Sequence, residues 1–224
     1  LNFNDITKAR LAFEQASNMN YDSRIREEAL YNYALCIHSE RYSPFAESVK
    51  VFERFLNEYP ASVHVPQVEK YLVEVYMNTR NYDVALNSIE KIKKPSNGIL
   101  EAKQKILYRM GVQEFIDGKM NTAIEYMDRS IELKGYNKET YSDALFWKGE
   151  ALYRKGEYNA AAKHYNMVIT TGGSNSGKAV YGIAYTLFQQ RKYSDARRKF
   201  EEFEANAKGE SKETLADAYK RIAD

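Results

Sequence analysis

Cysteine occurs once in the 224 residues, at Cys36, so no internal disulfide can form and no cysteine-clustered metal site can be built. Glycine and proline are scarce too, at 11 and 4, about half the combined share of an average soluble domain. Turn-rich sandwiches and barrels need Gly, Pro or Asn at every hairpin, and that supply is missing. No run of about 18 apolar residues occurs, so there is no membrane-spanning helix of ordinary length and no membrane insertion is expected. The opening Leu1-Asn2-Phe3-Asn4 offers neither an initiator methionine nor an apolar signal, and reads as the edge of a piece excised from a longer protein. Charge of one sign is also lacking: 33 Lys and Arg against 31 Asp and Glu leave +2, too balanced for a phosphate-backbone footprint. Nucleic acid is not expected as a partner.

Catalytic and metal-binding patterns are equally thin. His38, His64 and His164 lie far apart, without a His or carboxylate at zinc-like spacing. Acidic pairs such as Glu27-Glu28 and Glu201-Glu202 sit among Lys and Arg, as on a solvated helix face. No segment resembles a nucleophile elbow. The run Gly172-Gly173-Ser174-Asn175-Ser176-Gly177-Lys178-Ala179 is one residue short of a phosphate loop, since Ala179 replaces the magnesium-binding hydroxyl. Its upstream segment, His164 to Ile169, reads as helix where that motif needs a strand, so a Gly/Ser connector is the better account. No cofactor, metal or catalytic residue is assigned.

What the chain does have is periodicity. A small residue followed four later by a large apolar one recurs as Ala9/Phe13, Ser48/Phe52, Ala85/Ile89, Ala123/Met127, Ala161/Tyr165 and Ala196/Phe200, at intervals of 39, 37, 38, 38 and 35 residues. Such regularity marks stacked structural repeats. Before these segments lie second helical patterns, such as Leu30/Ala34/Ile37, Leu107/Gly111, Leu145/Gly149/Leu152 and Val180/Ala184/Leu187. A small residue mid-helix lets a neighbouring helix approach closely. Short turns separate the two patterns at 80–82, 117–119, 155–158 and 191–193, with Gly118 and Gly156 where a helix end favours positive φ.

The run Leu145-Phe146-Trp147-Lys148-Gly149-Glu150-Ala151-Leu152-Tyr153-Arg154-Lys155-Gly156-Glu157-Tyr158, followed by Ala161, Tyr165 and Val168, resembles the tetratricopeptide repeat family. The period here is longer than that family's usual length of about 34. The segment ending Phe55-Leu56-Asn57-Glu58-Tyr59-Pro60 is similar to repeats common in bacterial cell-envelope proteins, and that resemblance alone implies a periplasmic or envelope location. The resemblance implies an all-α fold, a right-handed superhelix of antiparallel hairpins. The expected layout is one array over 1–224: a half repeat at 4–19, repeats at 22–59, 62–93, 98–134, 139–171 and 175–207, and a terminal helix at 211–223. The loop from Lys93 to Gly98 is the expected hinge, because Asn97-Gly98 turns readily.

In that family the first helix of each hairpin lines the concave surface. Beside the core stripe these helices carry Tyr31/Leu35/His38, Lys70/Glu74/Met77, Tyr108/Val112/Phe115, Phe146/Glu150/Tyr153 and Tyr181/Tyr185/Phe188, each at i, i+4, i+7, with Arg109 and Arg154 interspersed. Aromatic rings with arginine are typical interface anchors. The expected function is a non-catalytic scaffold holding a peptide or partner helix in this groove, with Phe146, Tyr153, Tyr181 and Tyr185 partly exposed. The competing account is that several rings pack between adjacent hairpins. Family members that grip C-terminal carboxylates use Lys and Asn, whereas Glu74 here would repel one. A glycan-binding module of an envelope complex and a spacer or self-association segment of a longer chain are the alternatives. An enzyme is the remotest.

Overall fold

The computed structural model describes residues 3–20, 22–39, 45–206 and 211–223, which form twelve α-helices and no strand among the described residues. The connection at 40–44 and residue 207 of the expected fifth repeat lie outside them. The chain divides into two compact units, 1–106 and 107–224.

The first unit contains α1 (Phe3–Asn18), α2 (Ser23–Ser39), α3 (Phe45–Glu58), α4 (Val65–Asn78), α5 (Tyr82–Lys91) and the first half of α6 (Asn97–Ile116). Its core is Leu30 and Ile37 of α2, Phe52 and Phe55 of α3, Leu72 and Tyr76 of α4, and Ile89 of α5, all fully buried. The buried Tyr76 hydroxyl is satisfied by Ser88 at 2.8 Å, whose hydroxyl donates to Glu53 at 3.2 Å. The loop expected to be a hinge is bonded to α3 at its start. Asn57 of α3 donates to the Lys91 carbonyl (3.2 Å) and accepts from the Lys93 amide (3.1 Å), and Asn97-Gly98 open α6 rather than turn.

The second unit runs from the rest of α6 through α7 (Met120–Glu132), α8 (Lys138–Arg154), α9 (Tyr158–Thr171), α10 (Ser176–Gln189) and α11 (Tyr193–Asn206) to α12 (Lys212–Ala223). From α7 onward each helix packs on the next in chain order. The turns of its three hairpins share one design. Lys119, Glu157 and Lys192 donate backbone bonds to the carbonyls five residues back, on Glu114, Leu152 and Leu187, while the preceding residues bond to Phe115, Tyr153 and Phe188. This double bond needs a left-handed residue, supplied by Gly118 and Gly156, both at φ 79°, and in the third turn by Arg191 at φ 60°. A non-glycine residue is strained there.

Small residues set how closely the helices approach. A Cβ on Gly111 would come within 2.7 Å of Met127 Cε on α7. Tyr165 of α9 is held from both sides: a Cβ on Gly149 of α8 or on Gly182 of α10 would each lie 2.7 Å from its ring. Ala161 and Ala196, the small members of the repeated pairs, are 0% and 1% exposed.

Candidate functional site

In the first unit the expected groove residues form two stacked pairs between α2 and α4. Tyr31 lies flat on His64, centroids 3.8 Å apart at 11°, and His64 Nε2 is 2.9 Å from Glu28. His38 stacks on Tyr71 at 3.9 Å, with its Nε2 3.7 Å from Glu74. Lys70 and Glu74 are exposed. The rings on which Tyr31 and His38 stack, His64 and Tyr71, stand outside the positions singled out by periodicity.

In the second unit Tyr108 and Arg109 are half-buried on α6. Burial, followed by the Asp143 carboxylate, raises the Tyr108 hydroxyl pKa above its ordinary value. Phe146 corrects the expectation of partial exposure: at 8% exposed it is core, as is the groove candidate Phe115 at 4%, and the two flank Trp147 edge-on at 5.9 and 5.0 Å. Arg154 is exposed, its guanidinium 4.2 Å from the Phe115 ring centroid.

The remaining residues converge. Glu150 and Tyr153 of α8 meet Tyr181 and Tyr185 of α10 around a recess of about 220 Å³, completed by Tyr165 and Gly182. The three outer tyrosines are half-buried, while Tyr165 is fully buried. At the base, the Tyr165 hydroxyl donates to Glu150 Oε1 at 2.7 Å. Burial raises the Glu150 carboxyl pKa, with the Tyr165 hydrogen bond and the Arg154 charge pulling the other way. At the rim, Gln189 Nε2 donates to the Tyr153 hydroxyl at 3.3 Å.

Tyr181 and Tyr185 also have a structural task. Both hydroxyls donate to Asp217 Oδ2 of α12, the former at 2.6 Å. Arg221, one turn later, lies 5.1 Å from the Phe188 centroid and donates to the Tyr185 hydroxyl at 3.3 Å. Burial opposes the Asp217 charge, but the two tyrosine hydroxyls and then Arg221 outweigh it, so its pKa is depressed. None of the residues expected in the groove lies on this terminal helix. The 36-residue spacing from Tyr181 to Asp217 and from Tyr185 to Arg221 matches the repeat period and was the available signal.

The phosphate-loop lookalike is a connector. Gly172 ends helix α9 in the left-handed region, and Asn175 donates to Asp143 of α8 at 2.8 Å. Among the described residues no group of three or more His, Cys, Asp or Glu is placed to hold a metal, and no helix is long and apolar enough to cross a membrane.

Residues 117–203, from the first shared turn to α11, match the family model described as anaphase-promoting complex, cyclosome, subunit 3. Its repeats are of the tetratricopeptide type. Solved structures similar to this chain include that of yeast Sti1, "TPR2AB-domain:pHSP90-complex", at 15% identity and TM-score 0.49, covering 99% of this chain and 96% of that one. The MamA protein is similar at 17% identity and TM-score 0.45, over 92% and 97% of the two chains. The Cut9-Hcn1 hetero-tetramer of the APC/C is similar at 15% and 0.47, over 98% of this chain and 46% of that one. No curated protein matches the sequence.

Proposed function

We propose that the chain is a single array of tetratricopeptide repeats over 1–224 acting as a non-catalytic scaffold, and that a peptide or partner helix docks on the face of its second unit carrying Glu150, Tyr153, Tyr181 and Tyr185. Tetratricopeptide-type folds typically serve as protein-interaction scaffolds, and among the similar structures the Sti1 domain is in complex with pHSP90. The observation that carries the reading is the convergence of three half-buried tyrosines from two successive first helices on one recess with a carboxylate at its base. Rigid amphipathic rings around a partly desolvated pocket are what interface anchors require.

Because Tyr181 and Tyr185 also hold α12, removing them would damage the fold. The test therefore falls on Tyr153, whose hydroxyl meets Gln189 at the rim. Peptides selected from a displayed library against the full chain are re-measured on Tyr153→Ala and, as a control, on Lys163→Ala at an exposed position of α9. Losing one anchoring ring should weaken binding by roughly 1 to 3 kcal/mol, with the control unchanged. Full binding by a folded Tyr153→Ala would move the site off this face.

A further inference from the structure

The recess has a charge signature that narrows the kind of group it receives. We infer that it takes a basic side chain, lysine or arginine, from the partner, held over the tyrosine rings with Glu150 as its counter-charge. This rests on the docking reading above and adds the chemistry of the anchor.

Size comes first. At about 220 Å³ the recess is smaller than pockets for drug-sized ligands, which run from about 300 Å³ upward. It suits one side chain of a larger partner.

Chemistry then chooses which side chain. The lining holds four phenol rings, one carboxylate and no cationic residue. Ring faces attract cations through their quadrupole, and the attraction grows as water is excluded. The carboxylate has acceptor capacity to spare: the Tyr165 hydroxyl occupies one of about four acceptor positions. Arg154, the basic residue one turn on, is directed to the Phe115 ring instead, 4.2 Å from its centroid. Covering the recess with an apolar group would strip water from Glu150 and leave its charge without a new partner. An anion would meet Glu150 directly, with Asp217 behind Tyr181 and Tyr185. A cation alone compensates the charge and uses the rings. The raised Glu150 pKa agrees, since burial disfavours its charge more than the Tyr165 hydrogen bond and Arg154 favour it, and an incoming cation would add to their side.

The site is also held in place. Gly149 of α8 and Gly182 of α10 both lie against the Tyr165 ring, which limits the movement of the donor to Glu150. Asp217 holds the hydroxyls of Tyr181 and Tyr185, which limits how those rings can turn. Little ordering is left for binding to complete.

The test uses the full chain and four small probes that carry a side chain's end: n-butylammonium, n-butylguanidinium, the neutral n-butanol and the anionic butyrate. Each is titrated while the Gly182 amide and the Tyr153 ring signals are followed by NMR. At least one cation should shift both signals saturably, with n-butanol and butyrate at least about tenfold weaker. Glu150→Gln, which keeps an acceptor for Tyr165, should erase that preference. Equal response to n-butanol, or cation binding untouched by a folded Glu150→Gln, would overturn the inference, and the wild-type comparison stands even if the variant fails to fold. The two readings can fail separately. Selected peptides that depend on Tyr153 but are not enriched in Lys or Arg would refute the cation alone. Saturable n-butylammonium binding without any Tyr153-dependent peptide would refute the docking reading alone.

Discussion

Replacing Gly182 by alanine puts two opposed effects into one methyl group, and the geometry says which wins. Alanine is favoured over glycine in a helix interior by roughly 1 kcal/mol, so an unobstructed substitution would stabilise α10. The new Cβ would instead sit 2.7 Å from Tyr165 Cζ and 2.8 Å from Cε2, against about 3.5 to 4.0 Å for carbons in comfortable contact. The ring has no retreat. Gly149 crowds it as well, since a Cβ built there would lie 2.7 Å from Cε1, and the ring's hydroxyl is tethered to Glu150. The helices must therefore part, and overpacking of this kind costs roughly 1 to 3 kcal/mol. The net expectation is a loss of about 1 kcal/mol. In a Tyr165→Leu background the obstructing ring atoms are gone and the same substitution should become stabilising. Urea unfolding followed through Trp147, the single tryptophan and a residue of α8, reports on this unit. The coupling in the double-mutant cycle should fall at roughly 1 to 3 kcal/mol. A value below about 0.5 kcal/mol, the scatter expected of independent sites, would refute the idea that Tyr165 is clamped between the two glycines.

Arg191→Gly should relieve the left-handed strain of the third hairpin turn and raise stability by about 0.5 to 1 kcal/mol, since αL costs non-glycine residues roughly 1 to 2 kcal/mol and glycine's looser unfolded chain returns part of that; the urea midpoint reads it. Ala161→Leu and Ala196→Leu, at helix crossings with 0% and 1% exposure, should each lose roughly 1 to 3 kcal/mol in the same assay. Asp217 has a folded pKa below its ordinary value, so its contribution is complete above about pH 3.9 and is lost as pH falls through the lower folded value. Hydrogen exchange of residues 212–223, corrected for intrinsic rates, should therefore rise on acidification, and Asp217→Asn should remove that dependence. Millimolar ATP should leave the melting temperature unchanged, because the Gly172 loop follows a helix; a rise abolished by Lys178→Ala would reverse this.

The helical class and the register of the small residues are legible in the sequence. The recurring pairs from Ala85/Ile89 to Ala196/Phe200 are fully or almost fully buried, while the first, Ala9/Phe13, is half-buried. Gly118 and Gly156 announced their turns because few other residues adopt positive φ without strain. Arg191 performs the same task, and nothing about an arginine advertises it. The exposure of the aromatic stripe was not legible either. Phe146 and Tyr153 lie seven residues apart on one helix face, yet one is core and the other borders the recess. Periodicity states the angle at which a side chain leaves its own helix. Whether water or another ring meets it there depends on how far the neighbouring hairpin reaches, and that is set by contacts some 36 residues away, such as Tyr181 and Tyr185 on Asp217. The sequence determined which faces the helices would bury. Only the tertiary structure decided where that burial stops and leaves a carboxylate and four tyrosines around an open recess, because the edge of a core belongs to the packing of several helices at once and to none of them alone.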